Sequence, residues 1–469
     1  MALYRIVFAF FLICNVNGLS EHFAFLFTSD GLFTGAEARA LFSGDSILAP
    51  QSFLYRWDSR AAFWIHLVAL ECCACLFMVG AWTRVSGVMT LVLMESLFVR
   101  NRVFWEGTEL VFRVFLVYLV CSRCGEAYSV DRWRRARRLP RLVPLRGIPA
   151  WPRRLVILQL AALFLATGLA KHGPTWVDGD AVYYMLRHDH LPRVPMDAVC
   201  VALGANVLRV ATWAARAIEL LYPLVLVGVL VRRRPHGAWW DWCFGRRIWA
   251  LAAVLLMLTL WVLVNIGQFH TAMLASFLPL LSGAEIGRVV RHDADVSVTG
   301  GVAYSRPGRA VASALLVWHL LCVAVELLPE RITSASLRAV TSPWLIATRM
   351  TQSWGMWAPD APREVVVLEV AVLDRSGATL HVFTDTHPVP WIFYDRDHKI
   401  ARRIAATGAD GPYAKPYARW HCRKWTRAHD SVPPHAVELR TRTRTIPPPD
   451  TARAPSPFGA TTLVLAHEC

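Results

Sequence analysis

The sequence predicts an all-α polytopic membrane helix bundle of about nine spans, followed by a small external β or α+β domain. Three observations carry this expectation. Hydrophobic residues make up 55% of the 469, more than an ordinary soluble domain holds. They gather in long apolar runs separated by short, arginine-crowded loops. From residue 329 those runs stop and alternating segments take over, which divides the chain into a transmembrane part, 1–328, and an external C-terminal part, 329–469.

A helix needs about 20 mostly apolar residues to cross the bilayer, somewhat fewer where flanking side chains snorkel. In chain order the stretches that qualify are Tyr4 to Leu26, Ala61 to Val79, Val85 to Val99, Leu110 to Ser122 and Leu155 to Ala170. Val210 to Val231, Ile248 to Ile266, Thr271 to Ile286 and Ala310 to Leu328 follow. The first also has a signal-peptide reading, with Arg5 as its positive flank, but no small-residue cleavage pattern follows Val16. Ten arginines lie between Arg123 and Arg154 against Glu126 and Asp131. Arg232, Arg233, Arg234, Arg246 and Arg247 crowd a second loop against Asp241. By the positive-inside rule both loops are expected to be cytoplasmic, with the N-terminus inside and the C-terminal domain outside.

Several ionisable groups interrupt the spans: Glu71, Glu95, Glu109 with Arg113, Arg216 with Glu219, and Glu326. Each costs a few kcal/mol in lipid and belongs in a protein interior or a cavity. Glu109 with Arg113 and Arg216 with Glu219 stand four and three residues apart, so each pair can meet on one helix face.

In the C-terminal part, Glu364 to Leu373 reads as a strand, Asp374 to Gly377 as a turn and Ala378 to Phe383 as its hairpin partner. Val437 to Thr445 and Thr461 to Ala466 add strands, and the proline-rich 447–457 reads as a loop. Arginines and lysines from Arg402 to Arg427 interleave with Tyr413, Tyr417, Trp420 and Trp425 in a way that imitates a nucleic-acid surface. An external location points instead to a solvated basic face, or one touching anionic headgroups, and no nucleic acid is expected as partner. Cys422 and Cys469 can pair in an oxidising compartment, whereas Cys72, Cys73 and Cys75 behave as small hydrophobes within one span.

Walker and Rossmann phosphate loops and the HExxH zinc spacing are missing, and no internal repeat supports a transporter. His188 and His190 suit a ligand pair on an extended loop, but no third ligand accompanies them, so no metal is expected. The most informative segment runs from Gly168 through Lys171, Trp176, Asp178 and Gly179 to Tyr184, Arg187 and His188. A lysine at the end of an apolar helix has two readings: it snorkels to the interface, or it is desolvated and acts as a base.

That segment resembles the active-site segment of vitamin K-dependent gamma-carboxylases and of the related horizontally transferred transmembrane (HTTM) domain family. Tyr128, Ser129, Val130 and Asp131 are similar to the family's short aromatic-Ser-Val/Leu-Asp motif. Ile266, Gly267, Phe269, Met273, Leu274, Ala275 and Ser276 are similar to its Ile-Gly-x-Phe segment, and Gln352, Trp354, Met356 and Pro359 look like the linker that follows the membrane part in bacterial members, a likeness that implies a bacterial inner (plasma) membrane as the location. The resemblance implies a site at the outer span ends in which Lys171 deprotonates reduced vitamin K, a menaquinol or a similar quinol. His188, His190 and Glu219 are its implied catalytic neighbours, and Trp176, Phe269 and Met273 the residues that contact the cofactor. Its implied acceptor is a glutamate of a peptide or protein on the external side. The chain departs from the animal-type enzymes at Glu106, Gly107, Thr108 and Glu109, where they carry a histidine. A quinol-dependent carboxylase-like enzyme therefore stands beside a non-carboxylating membrane protein that matures, exports or binds a peptide or protein, with transport as a third class.

Overall fold

The structure, a computed structural model, describes the chain apart from residues 45–47, 139–147, 231–244, 282, 291–304, 329–332, 385–395 and 451–455. The basic stretch Arg232 to Arg234 and part of the 447–457 loop lie outside the described residues. The membrane part runs through α1 (Ala2–Asn17), α2 (Phe23–Phe27), α3 (Gly35–Phe42), α4 (Arg60–Val79), α5 (Thr83–Arg100), α6 (Gly107–Cys121) and α7 (Val130–Arg138). It continues with α8 (Trp151–Ala170), α9 (Pro174–Val177), α10 (Ala181–Leu186), α11 (Asp197–Leu221), α12 (Leu224–Leu230) and α13 (Arg246–Leu263). Next come α14 (Phe269–Ser276), α15 (Gly283–Val290), α16 (Arg306–Leu327) and α17 (Ala335–Ala347).

Among the described residues five helices are long and apolar enough to cross a membrane: α4, α8, α11 continued to Val227, α13 and α16. A sixth results if α1 and the segment Ser20–Phe27, bent by 42° against it, form one span. The other stretches of the expected nine fall short for visible reasons. Helix α5 carries Arg84, Glu95 and Arg100, and α6 has only 15 residues. Thr271 to Ile286 is broken into α14, the 3₁₀ turn Leu278–Leu280 and α15, with Pro279 removing an amide donor at the break. Helix α11 is kinked at Gly204, whose φ of 75° lies in the left-handed region. The bundle exposes apolar side chains such as Ile65, Val68, Val311 and Val317, a surface that water penalises and lipid accepts. These helices and this surface are compatible with an integral membrane protein.

One end of the bundle is tied by backbone contacts. Buried Arg5 donates to the carbonyls of Cys124 at 2.7 Å and Tyr128 at 2.6 Å. Asp131 caps α5, accepting from Trp82 N, Thr83 N and Thr83 Oγ1 within 2.8 Å. The Tyr128 to Asp131 motif is thus a structural fastener. Gly80 makes room for it, since a Cβ there would run into the Ser129 side chain.

The C-terminal part forms a four-stranded antiparallel sheet in the order β2-β1-β3-β4, from β1 (Glu364–Leu373), β2 (Thr379–Thr384), β3 (Ala436–Thr445) and β4 (Thr462–Glu468). The hairpin turn is held by Asp374 Oδ1, which accepts from Ser376 N and Ala378 N, and by Gly377 at φ 82°. Helix α18 (Arg396–Thr407) packs on β1, and α19 (Ala414–Ala428) on β3 and β4. A disulfide joins Cys422 to Cys469 across a Cα–Cα distance of 5.7 Å. Lys415, Lys424 and Arg427 of α19 are exposed, as a solvated basic face requires, but part of the basic aromatic set turns to the protein. Arg419 pairs with Glu37, Arg423 donates to Gly31 O at 2.6 Å, and Phe25 meets Trp420 at 4.5 Å. These contacts dock the C-terminal domain on the loop that precedes α4.

Candidate functional site

Helix α8 ends at Ala170 because Gly173 and Pro174 follow Lys171, and Pro174 opens α9 at its first turn, where a missing amide costs nothing. Lys171 is left turned inward, only 4% exposed. Its Nζ donates to Glu219 Oε1 on α11, another group that is nearly buried. Gly168 permits the encounter, because a Cβ there would lie 3.0 Å from the Leu220 side chain. Trp176 stacks its ring 4.6 Å from the ammonium and donates Nε1 to Trp357 O at 2.8 Å. The second carboxylate oxygen, Glu219 Oε2, is buried without a hydrogen-bond partner among the described residues. An orphaned acceptor of that kind is costly, so it marks a place where a donor belongs.

The pair forms part of the wall of a cavity of about 560 Å³. Leu163, Phe164 and Thr167 of α8 continue that wall, and Met257 and Leu260 of α13 and Met273 of α14 face it. Gly267, at φ 63°, turns the chain into α14 so that Phe269 reaches the cavity. Gly107 leaves space for that ring, 3.0 Å from where its Cβ would be. Lys171, Glu219, Phe269 and Met273 therefore meet around one space, and Trp176 backs the lysine.

His188 and His190 sit elsewhere. His190 N donates to His188 Nδ1 at 3.3 Å, and the His190 ring stacks on His398 of α18 at 3.4 Å. The cluster joins the loop after α10 to the C-terminal domain and does not line the cavity. Burial, aided by neighbouring His398, His190, Arg402 and Arg444, pushes the His188 pKa down to about 2, so this ring is neutral at physiological pH. Among the described residues no group of His, Cys, Asp and Glu is arranged to hold a metal ion.

The rest of the cavity comes from residues that sequence reasoning did not assign to a site. The linker from Ser353 to Trp357 covers one side. It is pinned by Asp360, which accepts from Thr175 N at 2.8 Å and Thr175 Oγ1 at 2.7 Å, and by Gly173 N donating to Pro359 O at 3.0 Å. Helix α18 contributes Lys399, which pairs with Glu106 at 3.2 Å, together with Arg402 and Arg403. Glu106 stands at the departure from the animal-type pattern, and its carboxylate is engaged across the domain boundary. Gln352, Trp354 and Met356 were visible as a linker, but nothing local in the sequence placed Lys399 on the wall of the same cavity as Lys171.

A family profile described as HTTM domain matches residues 1–278. No curated protein and no solved structure matches the chain. The matched segment holds Lys171, Trp176, Glu219, Phe269 and Met273, whereas the linker and α18 lie beyond it.

Proposed function

Because the chain belongs to the HTTM domain family, we propose that it is a multi-pass membrane enzyme that takes a reduced quinone into the Lys171 cavity and uses this lysine as a base. The observation that carries the reading is the buried Lys171–Glu219 pair at the wall of a cavity that combines apolar side chains with charged ones. The residues fit such a cofactor: the volume is in the range of small-molecule sites, Phe164, Phe269 and Met273 offer an apolar seat, and Glu219 Oε2 needs a donor that a hydroxyl would supply. When bound, a reduced quinone supplies a phenolic hydroxyl whose conjugate base reacts with oxygen.

Lys171 Nζ donates to Glu219 Oε1, and acting as a base the amine would take the proton of a ligand hydroxyl, with Glu219 orienting it. Trp176 and the Trp354–Trp357 linker exclude water from the amine, which strengthens every polar contact inside. Arg402 and Arg403 line the same cavity and would attract an acidic peptide or protein substrate. The disulfide Cys422–Cys469 supports an external, oxidising location for the C-terminal domain, in keeping with the arginine-rich loops placing the N-terminus inside.

The test is turnover of reduced quinone by purified protein in nanodiscs, with labelled carbon dioxide and a glutamate peptide, comparing wild type with Lys171→Ala. Label uptake that is lost in the folded variant supports the reading, and quinol oxidation without label points to another acceptor. No turnover across several quinones and peptides overturns the enzyme reading. A second reading, a non-catalytic membrane protein that matures, exports or binds a peptide or protein, is favoured by Glu106, a carboxylate tied to Lys399 in the place of the animal-type histidine.

A further inference from the structure

A second cavity, of about 320 Å³, opens at the opposite end of the bundle, where the start of α5, the end of α6 and α7 meet. Arg84, Arg123 and Arg135 line it. The two carboxylates there are already committed, since Asp131 caps α5 and Glu126 pairs with Arg135 at 2.9 Å. Helix α7 adds Arg132, Arg134, Arg137 and Arg138, so guanidinium charge is in surplus. Aromatic rings stand out from the protein around the opening: Trp82 is 60% exposed and Trp133 52%. The Arg134 guanidinium lies 5.0 Å from the Trp82 ring centroid, and that of Arg137 4.0 Å from Trp133. Leading away from the cavity along α5, Val85, Val88, Met89 and Val92 are all exposed. Their spacing of three, four and seven residues puts them in one apolar stripe on the helix.

We propose that this cavity binds the headgroup of an anionic phospholipid, its phosphate held by Arg84 and Arg123 and one acyl chain lying along Val85, Val88, Met89 and Val92. The charge surplus calls for an anion. The stripe and the two tryptophans distinguish lipid from a free anion, because indole rings settle at headgroup level and a soluble phosphate would leave the stripe unused. Asp131 fixes the start of α5 through Thr83, and Glu126 occupies Arg135, which leaves Arg84 and Arg123 for the phosphate.

The full-length protein in nanodiscs of phosphatidylcholine doped with phosphatidylglycerol is extracted gently, and retained lipid is counted by mass spectrometry. Phosphatidylglycerol should be enriched several-fold over its bulk share and should resist displacement by inorganic phosphate. Arg84→Gln/Arg123→Gln should lower that enrichment by about threefold or more while the melting temperature holds. If the double variant does not fold, Arg84→Gln alone serves for the same comparison. Equal retention of the two lipids by wild type overturns the proposal. So does enrichment that survives in a folded variant, or displacement by inorganic phosphate alone.

Discussion

Lys171 and Glu219 meet across the α8–α11 contact, and they do so because residue 168 is a glycine that lets Leu220 approach its backbone. Two charges are thereby held in a nearly dry place, each dependent on the other. Removing one partner leaves the other uncompensated, a far larger penalty than losing the pair entire.

Lys171→Met or Glu219→Leu alone should each lower stability by about 3–5 kcal/mol, and the double variant by clearly less than the sum. Thermal melting in detergent, arranged as a double-mutant cycle, measures this. Additive effects would mean that the two groups are not coupled.

Gly173 and Asp360 test how the linker is pinned over the cavity. A Cβ at position 173 would run into the Asp360 carboxylate, so Gly173→Ala should push that carboxylate off Thr175. Asp360→Ala removes the same hydrogen bonds without the clash. Both variants should be cut faster by protease between residues 351 and 362 than wild type, and equal cleavage in all three proteins would show that the linker is held by other contacts.

Acid should loosen the junction between the two parts of the chain at His188. Its pKa falls from 6.5 to about 2 on folding, with burial the leading cause. A depressed folded value means that the unfolded state binds the proton more readily. The contribution to stability is therefore complete above pH 6.5 and shrinks progressively as the pH falls toward 2. His188→Gln should flatten that pH dependence in melting curves between pH 7 and pH 4, whereas an unchanged slope would assign the acid sensitivity to other groups.

The disulfide closes a loop of 47 residues between α19 and the end of β4. Cys469→Ser should cost about 2–4 kcal/mol in the C-terminal domain, with the membrane part unaffected. Alkylation of the native protein before and after reduction should find Cys422 and Cys469 blocked at first and labelled only afterwards. Labelling of both without reductant would contradict the bridge and remove its support for an external domain.

What the sequence by itself determined is local and periodic. Apolar runs of sufficient length became α4, α8, α13 and α16 within a few residues of the expected bounds, because covering the backbone's polar groups in lipid leaves a helix little alternative, whereas α11 begins at Asp197, well before the expected Val210. Alternation with turn chemistry at Asp374 to Gly377 placed β1 and β2, and β3 and β4 followed from the same signal. The motif around Lys171 was equally readable, since its glycines and proline act on their own neighbours. Tertiary structure alone decided what Lys171 faces. Glu219 had a nearer candidate partner on its own helix in Arg216, yet it receives Lys171 from α8, because packing at Gly168 brings the two side chains together. Likewise, the basic residues between Arg402 and Arg427 have no direction in the sequence. Whether they face solvent, the cavity or the α2–α3 loop depends on where α18 and α19 dock, and that contact joins residues hundreds of positions apart, beyond the reach of any local pattern.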